Sequence, residues 1–214
     1  MLAALAHIAA AAQAYIIGGI NGAIIASKYL YRRDIRELGS GNPGLTNFYR
    51  MFGTRGTLLM ILIDVAKTLG PVLIGSWIFS RHGLTEAGYA GLYGRVYAGF
   101  FVMLGHCFPL FYGFKGGKAV LAVGVLLFSI DWRVSVLGWG AFILVLLATR
   151  YVSLGAMVGV WGYPAALAIF GVGGTREIVI AVLSAALLVA RHGGNIVRLV
   201  TGDESKFSLR RMGK

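Results

Sequence analysis

Seven apolar runs, separated by short polar islands, fill most of the chain. A bilayer-crossing helix needs about 20 apolar residues, fewer when it is half buried among other helices. Five runs are clear, covering residues 5–26, 57–79, 135–148, 153–170 and 178–190. Two more, at 93–104 and 120–130, are short and rich in glycine. Together they predict an all-α polytopic membrane protein of seven transmembrane helices, a single domain over residues 1–214. Glycines at 18, 19, 22, 99, 105, 124, 155 and 159 would let helices approach closely, as membrane interfaces prefer. The first run has no basic residue ahead of it and continues to Lys28, longer than a signal-peptide core, so it reads as a retained span.

Composition agrees with that pattern. Of 214 residues, 57% are hydrophobic and 13% charged, with mean hydropathy +0.76. A soluble domain carries roughly 25% charged residues. The net charge of +12 could suggest a nucleic-acid partner, but the cations sit between the apolar runs, a distribution suited to an anionic membrane surface and anionic substrates. The single cysteine, Cys107, excludes an internal disulfide and a cysteine-built metal site.

Charge also sets orientation, because cytoplasmic loops retain Lys and Arg. One set of connections holds Lys28, Arg32, Arg33, Arg36, Arg50, Arg55, Lys115, Lys118, Arg150, Arg191, Arg198, Lys206, Arg210, Arg211 and Lys214. The opposite set holds only Arg81, Arg95, Arg133 and Arg176. The N-terminus is therefore expected outside and the C-terminus in the cytoplasm.

On this reading all the polar islands, residues 27–55, 105–118, 150–153 and 192–206, face the cytoplasm and can form one site. The first contains Gly39-Ser40-Gly41-Asn42-Pro43-Gly44-Leu45-Thr46-Asn47. Glycines allow positive φ and close approach of backbone N–H groups, the makings of an anion-binding nest. Lys28, Arg36 and Arg50 flank it. Its spacing nearly matches a nucleotide-binding P-loop, but Leu45 stands where the lysine belongs. An ordinary turn would also explain the glycines.

The second island ends in Lys115-Gly116-Gly117-Lys118 at the start of an apolar run, where a phosphate could meet two ammonium groups and a helix N-terminus. Interface-anchoring lysines would look the same. His192 could serve as a base or donor, or simply end a helix; Ser153 could bind substrate or cap one. Asp64 and Lys67, at i and i+3 within a span, can satisfy each other as a structural pair.

In this order, the islands resemble the bacterial PlsY family, the membrane acyl-phosphate:glycerol-3-phosphate acyltransferases. The resemblance runs through Ser27-Lys28, Asp34-Ile35-Arg36, the glycine loop to Arg50, Asp64 and Lys67, Gly105-His106, Phe108-Pro109, Phe114 to Lys118, Ser153, and His192 to Lys206. It implies seven spans in the bacterial cell membrane, an active site at the cytoplasmic face, and acyl transfer from acyl phosphate to glycerol 3-phosphate, giving lysophosphatidic acid and phosphate. It also implies a phosphate held by Ser40, Gly41, Asn42, Gly44, Thr46 and Asn47. Lys115, Ser153, His192 and Asn195 would be catalytic, and Lys28, Arg50, His106 and Lys118 would engage substrate. No cofactor, metal site or nucleic-acid partner is expected; a soluble acyl-phosphate-producing enzyme is a possible partner. The chain departs from the family's usual residues at Leu45, Thr68 and Ala119.

Acyl phosphate is a mixed anhydride with a good leaving group, so the main tasks are to position two anions and stabilise an oxyanion. Direct attack by the glycerol phosphate hydroxyl, with a substrate phosphate oxygen or His192 taking the proton, meets them. A His-x4-Asp signature is absent: Ala12, Ala87, Phe111 and Val197 occupy the aspartate positions. The alternatives are a transporter of a phosphate-bearing anion and a noncatalytic lipid-phosphate-binding protein.

Overall fold

The computed structural model describes residues 1–82 and 89–207. Arg210, Arg211 and Lys214, counted above among the cytoplasmic cations, lie outside them. Ten α-helices are present among the described residues: α1 Leu2–Gly18, α2 Gly22–Tyr31, α3 Leu45–Phe52, α4 Thr54–His82, α5 Ala90–Cys107, α6 Val120–Ile130, α7 Trp132–Thr149, α8 Val152–Phe170, α9 Thr175–Arg191 and α10 Gly193–Thr201. Five segments are long and apolar enough to cross a membrane, six if α9 and α10 count together across their 56° bend. Each of the seven apolar runs is helical. α6, at 11 residues, is about 16 Å long, about half the thickness of a bilayer's hydrocarbon core.

The first run differs from the single helix expected. It breaks at Gly19–Asn21, and the Asn21 side chain caps α2 by accepting from the Ile24 N–H at 3.0 Å. The break leaves backbone groups that need partners inside the bundle. α4 supplies them: the Lys67 ammonium donates to the Ile20 carbonyl at 2.5 Å, and Asp64 Oδ1 accepts from the Gly22 N–H at 3.0 Å. Lys67 and Asp64 pair at 3.0 Å, with both side chains 2% exposed. Their pairing on one helix face is as the spacing predicts, and it also repairs the broken helix.

The helices pack through small residues. At the α1–α5 crossing, Gly18 lies against the Val102 backbone and Gly105 against the Tyr15 carbonyl, leaving no room for a side chain at either. At α7–α8, Gly155 and Gly159 take the Phe142 ring and backbone. The main core runs between α5, α6, α8 and α9 around Val102, Met103, Leu126, Tyr163, Leu167 and Leu188. A second cluster, Ile24, Ile35, Phe48 and Met60, seats α3 against α2 and α4, and Leu45 packs on it. α6 lies on α4, α5 and α7, while α8 lies on α7 and α9; α6 and α8 scarcely meet. A cavity lies between them.

Candidate active site

The glycine loop is shaped from within. Gly39 and Gly41 take φ of +56° and +70°, left-handed values that side chains resist. Asn47, 3% exposed, uses its whole amide on the loop: Oδ1 accepts from the Ser40 N–H at 3.0 Å, and Nδ2 donates to the carbonyls of Leu38 at 2.9 Å, Asn42 at 3.2 Å and Ile35 at 3.4 Å. Asn21 Nδ2 ties down the Pro43 carbonyl at 3.2 Å. α3 then starts after Gly44 with no side-chain cap, which leaves its first-turn N–H groups without a helical partner, and Gly44 to Asn47 line the cavity with Ser40 and Asn42. A helix start of this kind favours an anion.

The second island folds back over His106. The Gly117 N–H donates to the His106 carbonyl at 3.1 Å, and a side chain at Gly117 would collide with the His106 ring. Arg191 holds the same loop from the other side, donating to the carbonyls of Gly117 and Gly116 at 3.2 Å each with its guanidinium over the Phe108 ring. Lys67 donates to His106 Nδ1 at 2.8 Å, so Nε2 carries the imidazole proton. Ala119, 1% exposed, caps α6 at φ +58° with its methyl at the cavity wall.

The wall opposite is built by α8, α10 and the segment after it. Gly202 ends α10 at φ +83° and turns the chain back, bringing Glu204 into the cavity. Its carboxylate accepts from the Ser153 hydroxyl at 2.5 Å, Asn195 Nδ2 at 2.6 Å and Arg198 Nε at 2.8 Å. Burial pushes the Glu204 pKa up, but these three donors outweigh it and keep the group below the usual carboxylate range. The Lys118 ammonium bonds Asn195 Oδ1. Burial first, then Arg198, pushes Lys118 down to about 8 against the pull of Glu204. His192, 2% exposed, bonds the Leu188 carbonyl through Nδ1 at 2.8 Å. A carbonyl only accepts, so Nδ1 holds the proton and Nε2 keeps its lone pair.

These polar groups form one end of a cavity of about 300 Å³. Its other end is apolar, lined by Val123 and Leu127 of α6, Trp139 and Phe142 of α7, and Ala156 and Val160 of α8.

Of the residues singled out from sequence, Ser40, Asn42, Gly44, Thr46, Asn47, Arg50, His106, Lys118, Ser153, His192 and Asn195 line this cavity. Gly41 and Lys115 line a second, neighbouring one with Arg36, Pro43 and Arg191. Lys28 is apart from both: half exposed, it pairs with Asp34 at 3.2 Å, and Asp34 is bound more closely by Arg36 at 2.7 Å. Asn47 lines the cavity with an amide already committed to the loop. Sequence reasoning assigned no role to Arg191, Arg198 or Glu204. The available signal was an acidic pair, Asp203-Glu204, in a C-terminal segment whose other charged residues are basic.

The family described as glycerol-3-phosphate acyltransferase matches residues 8–202. The glycerol-3-phosphate acyltransferase of Carboxydothermus hydrogenoformans is 35% identical over 206 residues, covering 96% of this chain and 99% of its own. That of Francisella tularensis subsp. mediasiatica is 34% identical over 198 residues, covering 91% and 89%. Among solved structures, the glycerol 3-phosphate form of PlsY, an integral membrane glycerol 3-phosphate acyltransferase, superposes with a TM-score of 0.81 at 31% identity, covering 94% of this chain and 96% of that one. The lysophosphatidic acid form gives 0.79 at 29% identity, covering 94% and 95%.

Proposed function

We propose, because the chain belongs to the glycerol-3-phosphate acyltransferase family, that its acyl donor is an acyl phosphate bound with its phosphate at the glycine loop and its chain in the apolar half of the cavity. The enzyme transfers an acyl group to glycerol 3-phosphate and is a multi-pass membrane protein. Its product is lysophosphatidic acid. The finer topology belongs to the proposal: one domain crossing the bacterial cell membrane seven times, N-terminus outside, with the site at the cytoplasmic face. The observation that carries this reading is the two-ended cavity, with cations and a helix start at one end and apolar side chains from three helices at the other.

Ser40, Asn42, Gly44, Thr46 and the α3 amides receive one phosphate, with Gly41 and Asn47 fixing the loop's shape. Arg50 and Lys118 receive the second, with Ser153 and Asn195, positioned by Glu204, beside it, and Lys115 adds charge from the adjoining cavity. His106 donates from Nε2 beside the Gly116–Gly117 turn. The glycerol hydroxyl attacks the acyl carbon and the carbon–oxygen bond to phosphate breaks. His192 Nε2, the imidazole nitrogen left with a lone pair, takes the hydroxyl proton. Inorganic phosphate leaves, and the ester bond to glycerol phosphate has formed. Preorganised charge supplies most of the acceleration, since the leaving group needs little help. Lys28, engaged by Asp34, attracts substrate to the mouth rather than touching the reacting atoms, and a soluble acyl-phosphate-producing enzyme would dock on the same basic face.

The test is turnover by purified protein in nanodiscs, given palmitoyl phosphate and labelled glycerol 3-phosphate without CoA or carrier protein. Lysophosphatidic acid is expected. Product formed only when acyl-CoA replaces acyl phosphate would refute the donor assignment, and an acyl group trapped on Ser153 or Cys107 would refute direct attack.

A further inference from the structure

The apolar half of the cavity has an unusual wall. Trp139 of α7 reaches across to α6, where its indole Nε1 donates to the Gly124 carbonyl at 3.2 Å. Gly124 has no side chain, and the ring lies so close that a methyl there would meet Cζ2 at 2.6 Å. Phe142 supports the indole edge-on at 5.5 Å, and the exposed Phe128 ring lies 6.2 Å away on the outer side. Trp139 is half-buried: it lines the cavity and also reaches the surface that faces lipid. It lies nearly three turns back from the end of α7, about 15 Å along the helix.

Size makes this wall consequential. A cavity of about 300 Å³ is at the small end of ligand pockets, which span roughly 300–1,000 Å³. It can enclose a phosphate head and the first part of an acyl chain, so a long chain needs either more depth or a way out to lipid. Past Trp139 the helices close, with Leu127 of α6 seated on Gly138 of α7. The indole is therefore the movable boundary between the enclosed chain and the membrane, whereas the glycine-packed backbones around it are not.

We propose that Trp139, held across α6 by the Gly124 carbonyl, determines how long an acyl chain the site accepts. This rests on the reading that the apolar half of the cavity holds the acyl chain. A pocket discriminates by about 10–200-fold where one methylene has no room, so moving the wall must change chain-length selectivity on that scale. Removing the indole opens the pocket toward lipid and favours long chains. A methyl at Gly124 drives the indole into the cavity and favours short ones. The two changes act on the same wall with opposite sign, which general destabilisation cannot reproduce.

The experiment uses protein in nanodiscs with labelled glycerol 3-phosphate and a series of donors from octanoyl to stearoyl phosphate, comparing wild type with Trp139→Ala, Trp139→Phe and Gly124→Ala. The stearoyl-to-lauroyl ratio of kcat/KM is expected to rise about tenfold or more in Trp139→Ala and to fall by a similar factor in Gly124→Ala. Trp139→Phe, which keeps a ring but loses the bond to Gly124, should lie between wild type and Trp139→Ala. The KM for glycerol 3-phosphate should move far less than these ratios. Acyl-CoA donors of the same lengths run alongside, so a wrong donor assignment shows as product from CoA esters alone while the length profile is still read. Lysophosphatidic acids of the same lengths, read by the thermal shift they produce, give the profile without turnover. If Trp139→Ala fails to fold, Trp139→Phe and Gly124→Ala decide. Profiles in those two that superpose on wild type, or that shift in the same direction, overturn the proposal.

Discussion

Two charged clusters reach the same cavity, and they differ in what they leave over. In the first, Lys67 spends its three donors on Asp64, His106 and the Ile20 carbonyl, while Asp64 balances the charge and holds the Gly22 N–H. In the second, Arg50, Lys118 and Arg198 line the cavity against one carboxylate, Glu204, which gathers Ser153, Asn195 and Arg198. A closed, neutral cluster holds structure together. A cluster with surplus cations at a cavity mouth is ready for an anion. Ionisable side chains among apolar helices therefore have two distinct uses, separated by counting unspent charge rather than by burial.

The largest effect that tests this contrast is on stability. Lys67→Met should cost about 3–5 kcal/mol, because it leaves Asp64 charged, buried and alone. Thermal unfolding in detergent measures it, and a variant that melts with wild type would mean the first cluster is not closed. Next is catalysis. Lys118→Ala and Arg50→Ala should each lower kcat/KM about a hundred- to thousandfold while melting near wild type, the scale of losing one donor to developing charge. A matching fall in melting temperature would instead place them with Lys67.

The pH profile sharpens the contrast further. Lys118 loses its proton near pH 8, so kcat/KM should fall about tenfold per pH unit above that value, where an ordinary lysine would hold to about 10.5. Stability carries the opposite sign. Between those values the unfolded chain binds the extra proton, so the contribution of Lys118 to stability rises with pH and is lost as pH falls through 8. A profile flat to the ordinary lysine range would remove Lys118 as the titrating cation. The smallest effect is expected at Ala119→Gly, which relieves a left-handed alanine and should stabilise by about 0.5–1 kcal/mol. Calorimetry would show it, and a lower melting point would mean that the methyl at the cavity wall contributes packing that outweighs the backbone strain.

The apolar runs made the helices legible because membrane spans announce themselves by length and hydropathy. What they hid was the break at Gly19–Asn21. An apolar run looks continuous even where the backbone turns, and the partners that stabilise this turn are on α4, beyond any local pattern. The glycine loop was legible as a place to meet an anion, since glycine density and flanking cations are local features. Its wiring was not: the family resemblance implies that Asn47 holds phosphate, yet its amide is occupied by four backbone groups. Glu204 escaped a role because its partners are 6 to 51 residues away in sequence. Thr68 donates to the Asp64 carbonyl one turn back in α4 at 2.7 Å.

The internal wiring of the glycine loop bears on how the site could open. A segment shaped by its own asparagine and tied through Pro43 to Asn21 at the start of α2 is a preformed, seated cassette. The opposite wall is held differently, because Glu204 ties Ser153 of α8 to α10 across a single backward turn. Breathing of the site would therefore hinge at Gly202, with the glycine loop as the anvil against which that wall closes.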